Sequence, residues 1–434
     1  MSVQYNQLIS MESVIRNTDL KFEIIRSRDE FLSLRSAWID MFSQNHNTSF
    51  YLSFDWFYFL ICIRKISENL YIIVARKGTE VVAIIPCFIN QKRVCFFRHR
   101  TLEIIGNDYS PYRGCLVNPG QERAVANGLV KFLLIEAKRD WEVMGLKDVS
   151  NLDLFIVELQ TVLNEHGLRI SRENTFDNII CDLSSYTTSD SYFKSFKKNF
   201  RNTIRRHINQ MNRNQGFDII LPLNSSSDIE KFIDDYRDIR ARSWKREENE
   251  PLFHLGLAKY LFEKGFLRLF ILYMNPEDSK EGLDGSEAVF TSYQSSIVPD
   301  RSIPSRAIPV AVIYFIVYGK YAYLLRTSYR EDYAKYGPGI TLMWFSFKYL
   351  FEEENVEIID HQRGVEDYKL KFGGRINELR FQLLIGNPMF FTCRIDLLCR
   401  DQLFPPLRRM KRRVLNLLRN RIYKGYTYGV SIND

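Results

Sequence analysis

The spacings that metal and redox sites require are missing from this sequence. Its seven cysteines (Cys62, Cys87, Cys95, Cys115, Cys181, Cys393 and Cys399) are odd in number, lie mostly in apolar stretches and show no CxxC spacing. A disulfide framework or zinc ribbon is therefore not expected, and a reducing compartment is. The six histidines are scattered, with no HxxxH or HExxH, so no metal is expected. Long hydrophobic runs are absent too: the longest, near Trp56 to Ile63 and Val310 to Tyr318, reach about ten residues or fewer, too few to span a bilayer. The opening MSVQYNQLISMESVIRN has no basic head followed by an apolar core, so no secretory signal is visible and a cytoplasmic location is expected. Neither the GxxxxGK[ST] of a P-loop nor a full GxGxxG is present.

What is present is ordinary globular composition, 45% hydrophobic and 26% charged, over 434 residues. At about 150 residues per domain, that length suggests two to three domains. The net charge of +8 is unevenly distributed. Lys194 to Arg213 holds seven basic residues and no acid, and Arg400 to Lys424 holds nine against the single acid Asp401. The rest of the chain is net acidic. This distribution excludes a uniform cationic coat and points to local anion sites.

Hydrophobic patterning predicts a strand at Phe22 to Ile25, helices at Arg28 to Phe42 and Phe54 to Arg64, and a hairpin of Leu70 to Ala75 with Val81 to Asn90. Short strands at Thr101 to Ile105 and Tyr112 to Val117 follow, then a helix (Glu122 to Lys138), a strand (Glu142 to Leu146) and a helix (Leu152 to His166). The second half repeats this order. A strand at Phe217 to Leu221 precedes helices at Ser227 to Lys245 and His254 to Phe262. A strand at Leu267 to Tyr273 comes next, then a hairpin of Ile308 to Tyr318 with Tyr321 to Thr327. A helix (Gly339 to Glu354) and a strand (Val356 to Asp360) close the set. Two similar α/β halves in tandem account for this. Within the second half, Asn275 to Arg306 is rich in Ser, Pro, Asp and Gly and reads as a disordered insertion or a lid. The expected division is a first lobe at 20–185, a second at 186–379 with the insertion at 275–306, and an extension at 380–434 carrying a basic helix. Basic and apolar residues alternate over 407–423, which fits an amphipathic helix on anionic lipid as well as one docked on protein.

Two segments carry candidate chemistry. Over Ser191 to Gln215, spacings of three and four place Phe193, Phe196, Phe200, Ile204, Ile208 and Met211 on one helix face, while Lys194, Lys197, Lys198, Arg201 and Arg205 form the other. That basic face reads either as a solvated surface or as a rim for a phosphate-bearing substrate. The second segment runs from Tyr321 to Gly374. Gly337-Pro338-Gly339 opens a helix there, and a proline in the first turn forfeits no hydrogen bond. Exposed amides and the positive end of the helix dipole at such a start suit a pyrophosphate. Downstream, Asp360, His361, Gln362, Arg363, Gly364, Glu366, Tyr368, Lys369 and Lys371 crowd the end of a strand, where α/β folds place binding groups.

The order of strand, Gly-Pro-Gly helix, strand and then D-x-x-R-G-x-E-x-Y-K resembles the GNAT acyltransferase superfamily. More narrowly it resembles the tandem-GNAT family named for the cellulose-biosynthesis protein CelD, related to the FemABX aminoacyl transferases. The SFKKNFRNTIRRHINQM helix and Ala241-Arg242-Ser243-Trp244-Lys245 are similar to that family's pattern between its halves. The resemblance implies a mixed α/β sheet in two GNAT-like lobes with a cleft between them, and a bacterial enzyme moving an acyl group from acyl-coenzyme A. The acceptor implied is an amine or hydroxyl of a sugar, nucleotide-sugar or related polysaccharide precursor. By the same carry-over Tyr336, Gly337, Pro338 and Gly339 meet the donor's phosphates, and Trp244, Lys245, Arg363, Gly364, Tyr368, Lys369, Arg201 and Arg205 meet substrate. Acyl transfer needs a polarised thioester carbonyl, a base and a proton for the thiolate. A backbone amide near Thr327 or Ser328 is the expected donor to the carbonyl, Asp360 or Glu366 the base, and Tyr329 or Tyr333 the acid. Two alternatives remain: an aminoacyl-tRNA-dependent transferase, using the basic helix for RNA, and a non-catalytic glycan or nucleotide-sugar binder.

Overall fold

The computed structural model describes residues 19–45, 49–63, 69–214, 216–223, 229–245, 251–275, 297–300 and 307–402. The basic helix expected at 407–423 lies outside them. The chain forms two compact units, one of Met1–Thr175 with Leu379–Asp434 and one of Phe176–Glu378.

The first unit opens with β1 (Leu20–Ile25), α1 (Arg28–Ser33) and α2 (Arg35–Gln44). The single helix expected from Arg28 to Phe42 is thus two. Ser27 and Glu30 close a capping box on α1, and Leu34 caps one helix and starts the next. There follow α3 (Phe54–Ile63), β2 (Leu70–Lys77), β3 (Glu80–Arg93), β4 (Arg98–Ile104), β5 (Leu116–Val117), α4 (Glu122–Ile135), β6 (Val143–Ser150) and α5 (Leu154–Glu165). The chain then enters the second unit along β7 (Ile170–Asp182), a strand the patterning did not reveal.

The second unit continues with α6 (Ser189–Ser195), α7 (Lys198–Asn214), β8 (Phe217–Leu221), α8 (Ile229–Ala241), α9 (Pro251–Glu263), β9 (Leu267–Met274), β10 (Ile297–Pro299), β11 (Ile308–Tyr318) and β12 (Tyr321–Tyr329). A 3-10 turn (Glu331–Tyr336) leads to α10 (Pro338–Glu352), β13 (Ile358–Arg363) and α11 (Asp367–Lys371). Part of the insertion read as unstructured is ordered, since β10 pairs with β8, Ile297 opposite Ile219. The rest of that insertion lies outside the described residues. β14 (Arg375–Gly386) and α12 (Phe391–Gln402) return the chain to the first unit, where β14 pairs with β6. The segment from 380 therefore begins inside the first unit's sheet.

Each unit has its own core and the same sheet grammar. In the first, the strand order is β1-β2-β3-β4-β6-β14, with β5 on β3. In the second it is β7-β13-β12-β11-β9-β8-β10. Down to the sixth strand every neighbour is antiparallel except one central pair, β4 with β6 and β12 with β13. Both parallel ladders are three residue pairs long: Thr101 to Glu103 against Val143 to Gly145, and Tyr321 to Tyr323 against Ile358 to Asp360. Beyond each, a residue with positive φ, Asp148 (59°) or Gln362 (59°), sits at a bulge that turns the strand away.

The apolar face read from 193 to 211 is buried as expected, but on two helices. The break falls at Phe196, whose backbone is extended and whose ring packs edge-on to Trp344 and Phe372. Arg201 satisfies the carbonyls left over there, donating to Lys194 O and Phe196 O.

Candidate active site

In the second unit the sheet parts between β12 and β13. After Tyr323 and Asp360, β12 stays with β11, Tyr329 opposite Ala311, while β13 turns to β7, Arg363 opposite Asn178. Asp360 shapes this parting: it is buried, and its Oδ1 accepts the Gln362 N–H at 2.7 Å, holding the bulge residue in its left-handed conformation.

The edge of β12 exposed by the parting is polar. Arg330 N–H donates to Val310 O, so the even-numbered residues at the end of β12 turn their backbone to β11. Thr327 therefore turns its N–H and C=O to the open edge, and Lys245 Nζ donates to that carbonyl. This corrects one expectation, because the Ser328 amide belongs to the ladder and, of the two residues expected, Thr327 is the one that offers an N–H at the edge. The Ser328 side chain is buried and its Oγ accepts from Arg240 Nη1 at 3.2 Å.

Burial, with Arg240 and Arg326 nearby, lowers the Lys245 ammonium to about 8. Beside it, Arg326 Nη2 donates to Nε2 of buried His254 at 2.8 Å. Burial first, and then Arg326, push that imidazole down to about 3, so it is a neutral acceptor. Arg240, Arg326 and His254 were not anticipated, because on α8, β12 and α9 they are far apart in sequence and only the sheet brings them together. Trp244 is mostly exposed, with Lys245 Nζ 5.9 Å from its ring centre.

At the end of β12 the Glu331–Tyr336 turn leads into α10 through Gly337, whose φ of 62° favours glycine. A Cβ on Gly337 would fall 2.5 Å from the His207 ring, and one on Gly339 would fall 2.9 Å from the Tyr329 ring. The first helical bond runs from Thr341 N–H to Gly337 O at 3.2 Å. With Pro338 contributing no N–H, the first-turn amides preceding that bond are those of Gly339 and Ile340. No acid stands in this turn. The Tyr336 ring is buried in the core, so only its backbone could serve a phosphate. Tyr329 is half-buried against the same core, and the Tyr333 ring has Arg330 over it at 5.1 Å.

The terminal motif is knit together by its own contacts. Lys369 is 3% exposed and donates to Arg363 O and Gly364 O, while pairing with Glu366 Oε2 at 2.6 Å. An ammonium has three N–H bonds, so the lysine expected to hold substrate instead clamps the loop. A Cβ on Gly364 would meet Glu366 Oε1 at 2.9 Å, the glycine having a φ of 89°. The Arg363 guanidinium lies 4.8 Å from the Phe176 ring centre. Tyr368 is half-buried and its hydroxyl is pushed well up by burial and then by Glu366. Arg201 is spent on helix carbonyls, and Arg205 is exposed with Phe193 beneath it at 5.2 Å.

Among the described residues, His99, Glu142 and Cys393 of the first unit lie close enough to hold a metal. His99 is fully buried there, with Nδ1 2.9 Å from Glu142 and Nε2 2.9 Å from Asp396, so two carboxylates already engage both ring nitrogens. Among the described residues no helix is long and apolar enough to cross a membrane.

A mixed sheet whose central parallel pair splays, present in two units and joined in the second by a glycine-opened helix, is the tandem GNAT-like fold. Residues 306–370 match the acetyltransferase (GNAT) domain family, and acyl transfer is the enzymatic activity that goes with that domain. The solved structure of FemX is similar in fold, with a TM-score of 0.55 and 12% identity over 86% of this chain and 99% of that one. A tandem GNAT protein from the clavulanic acid biosynthesis pathway aligns at a TM-score of 0.47 and 12% identity, over 85% of this chain and 98% of that one. No curated protein matches the sequence.

Proposed function

We propose that this protein moves an acetyl or other acyl group from acyl-coenzyme A to an amine or hydroxyl of a sugar, nucleotide-sugar or related cell-envelope precursor, as a CelD-like enzyme. The observation that carries the donor half is the juxtaposition of the open β12 edge with the acid-free start of α10. Amides of Gly339 and Ile340 receive the donor's phosphates, backed by Gly337 and Pro338. The thioester then lies along β12, where Thr327 N–H donates to its carbonyl oxygen as negative charge develops. Such a donor is worth a few kcal/mol in a dry site.

Asp360 takes the proton of the attacking amine or hydroxyl, directly or through water. Glu366, already paired with Lys369, is the weaker candidate. As the carbon–sulfur bond breaks, Tyr329 supplies the proton to the thiolate, being the tyrosine beside the glycine turn; Tyr333 stands farther along the same loop. Trp244, Lys245 and Arg363 face the acceptor. Much of the barrier reduction comes from holding two substrates together, about 7–11 kcal/mol at the upper end. Titration calorimetry with acetyl-coenzyme A tests the reading: micromolar binding supports it, and absence of heat with every acyl-coenzyme A returns the protein to the class of non-catalytic binders.

A further inference from the structure

Ion pairs engage many arginines of the second unit: Arg237 with Asp234, Arg242 with Asp238, Arg268 with Glu354, Arg330 with Asp332 and Arg375 with Asp182. One stripe does not follow this pattern. Asn202, Arg205, Arg206, Asn209, Gln210 and Arg213 line a surface cavity of about 530 Å³. Their spacing of three and four puts them on one face of α7. Arg205, Arg206 and Arg213 have no carboxylate partner among the described residues, and α7 contains no acid at all. Like charges so placed on a helix repel one another. Guanidinium forks interleaved with side-chain amides match the oxygens of a phosphate and its sugar.

The position of the stripe indicates which phosphate. His207, next in sequence to Arg206, puts its ring against Gly337, at the very turn that opens α10. One helix therefore supplies both a wall of the glycine turn and the row of guanidiniums beside it. From Arg206 to Arg213 the helix rises about 10 Å at 1.5 Å per residue, a gap that two long guanidinium side chains can close on one phosphate held between them.

From this, and resting on the donor reading above, we infer that the stripe receives the 3′-phosphorylated nucleotide end of the acyl carrier, with Arg206 and Arg213 on its 3′-phosphate. The diphosphate then stays with the Gly339 and Ile340 amides. Charge complementarity and continuity with the glycine turn favour this occupant over a separate polyanion, which would have no need of that neighbour.

The test is calorimetry on the full chain with acetyl-coenzyme A and with its 3′-dephospho analogue. Wild type is expected to prefer the phosphorylated donor by about tenfold or more, as charge-assisted bonds to phosphate imply. Arg206→Gln with Arg213→Gln should bring the ratio to about one while leaving affinity for the dephospho analogue nearly unchanged. Arg237→Gln, on another helix, should leave the ratio as in wild type. If the double variant does not fold, Arg213→Gln alone, exposed in the last turn of α7, carries the test with a smaller drop. A ratio that persists in the folded variants overturns the inference and leaves the donor reading standing. Failure of wild type to bind either compound overturns both. Should the variants weaken binding of a tRNA mixture with the ratio unmoved, the stripe belongs to RNA and the inference is wrong.

Discussion

Where β4 leaves β6 in the first unit, the space is taken by the protein itself. Buried Arg113 lies so close that a Cβ on Gly106 would fall 2.8 Å from its Nε, and its Nη2 donates to Asn107 O at 2.7 Å. Arg380 stacks on Tyr112 at 4.5 Å and donates to Asp148 O. The helix that follows, α4, begins after Asn118-Pro119-Gly120 with Glu122 in its first turn, so a carboxylate already answers the helix dipole. In the second unit the equivalent helix starts with Gly337-Pro338-Gly339 and no acid, and Asp360 occupies the ladder position that Gly145 holds in the first. One sheet pattern thus supports two outcomes. The Arg113 side chain fills the first opening and Glu122 stands at its helix start, whereas the second helix opens on Gly337-Pro338-Gly339 with no acid.

The sharpest way to break this contrast is at the two glycines. Gly337→Ala must place its methyl into the His207 ring at a φ that alanine resists, and is expected to weaken acetyl-coenzyme A binding by about a hundredfold. Gly120→Ala meets open space at its own positive φ, so it should cost about 1 kcal/mol of stability and no donor affinity. Calorimetry and thermal melts on both variants check this; equal losses of affinity would dissolve the distinction.

Next in size is the carboxylate of Asp360, which stands where the first ladder has Gly145. Asp360→Asn should cut turnover by about a hundredfold, the lower end of what a positioned base supplies, with donor binding within about twofold of wild type. Steady-state kinetics beside calorimetry separate the two, and unchanged turnover with the true acceptor removes Asp360 from the catalytic set. Hydrogen exchange gives a milder readout: acetyl-coenzyme A should slow exchange of amides at 336–342 about tenfold while leaving 118–124 unaffected. Equal protection of both stretches would assign the donor to both units.

The smallest effect concerns Lys245 at the open edge of β12. Its folded value, lowered to about 8, lies below the 10.5 of a free lysine. Between those two values the native state has released a proton that the unfolded chain still holds, so stability rises as pH climbs through that window. Denaturant melts from pH 8 to 10 should show this upward contribution, and Lys245→Met should flatten it. A slope identical in the variant would mean that the ammonium is as well solvated as a surface lysine.

Much of the fold is legible locally. The hairpin of β2 with β3, the helix from Pro338 and the strand-helix-strand order of both halves follow from residue periodicity and turn residues. The glycine turn was legible too, because GPG before an amphipathic helix is a short-range signal. What escaped was long-range. β7 and β14 have mixed polar and apolar sequences without clean alternation, and their partners lie far along the chain. The basic segment 194–213 was visible as charge, yet which of its residues are available was not. Arg201 is used up on the carbonyls of a helix break at Phe196 that only packing against Trp344 and Phe372 creates. Lys369 looked like a substrate contact in its motif and is a buried clamp. Arg240, Arg326 and His254 carried no local signal at all.

By itself, then, the sequence determined the succession of elements, the faces they bury and the glycine start of α10, because these depend on neighbours within a turn or a strand. Only the tertiary structure decided that the sheet parts after Tyr323, that Thr327 rather than Ser328 turns its amide to the gap, and which cations keep free charge. Those outcomes hang on hydrogen-bond and ion partners contributed by strands and helices remote in the chain, which no local spacing records.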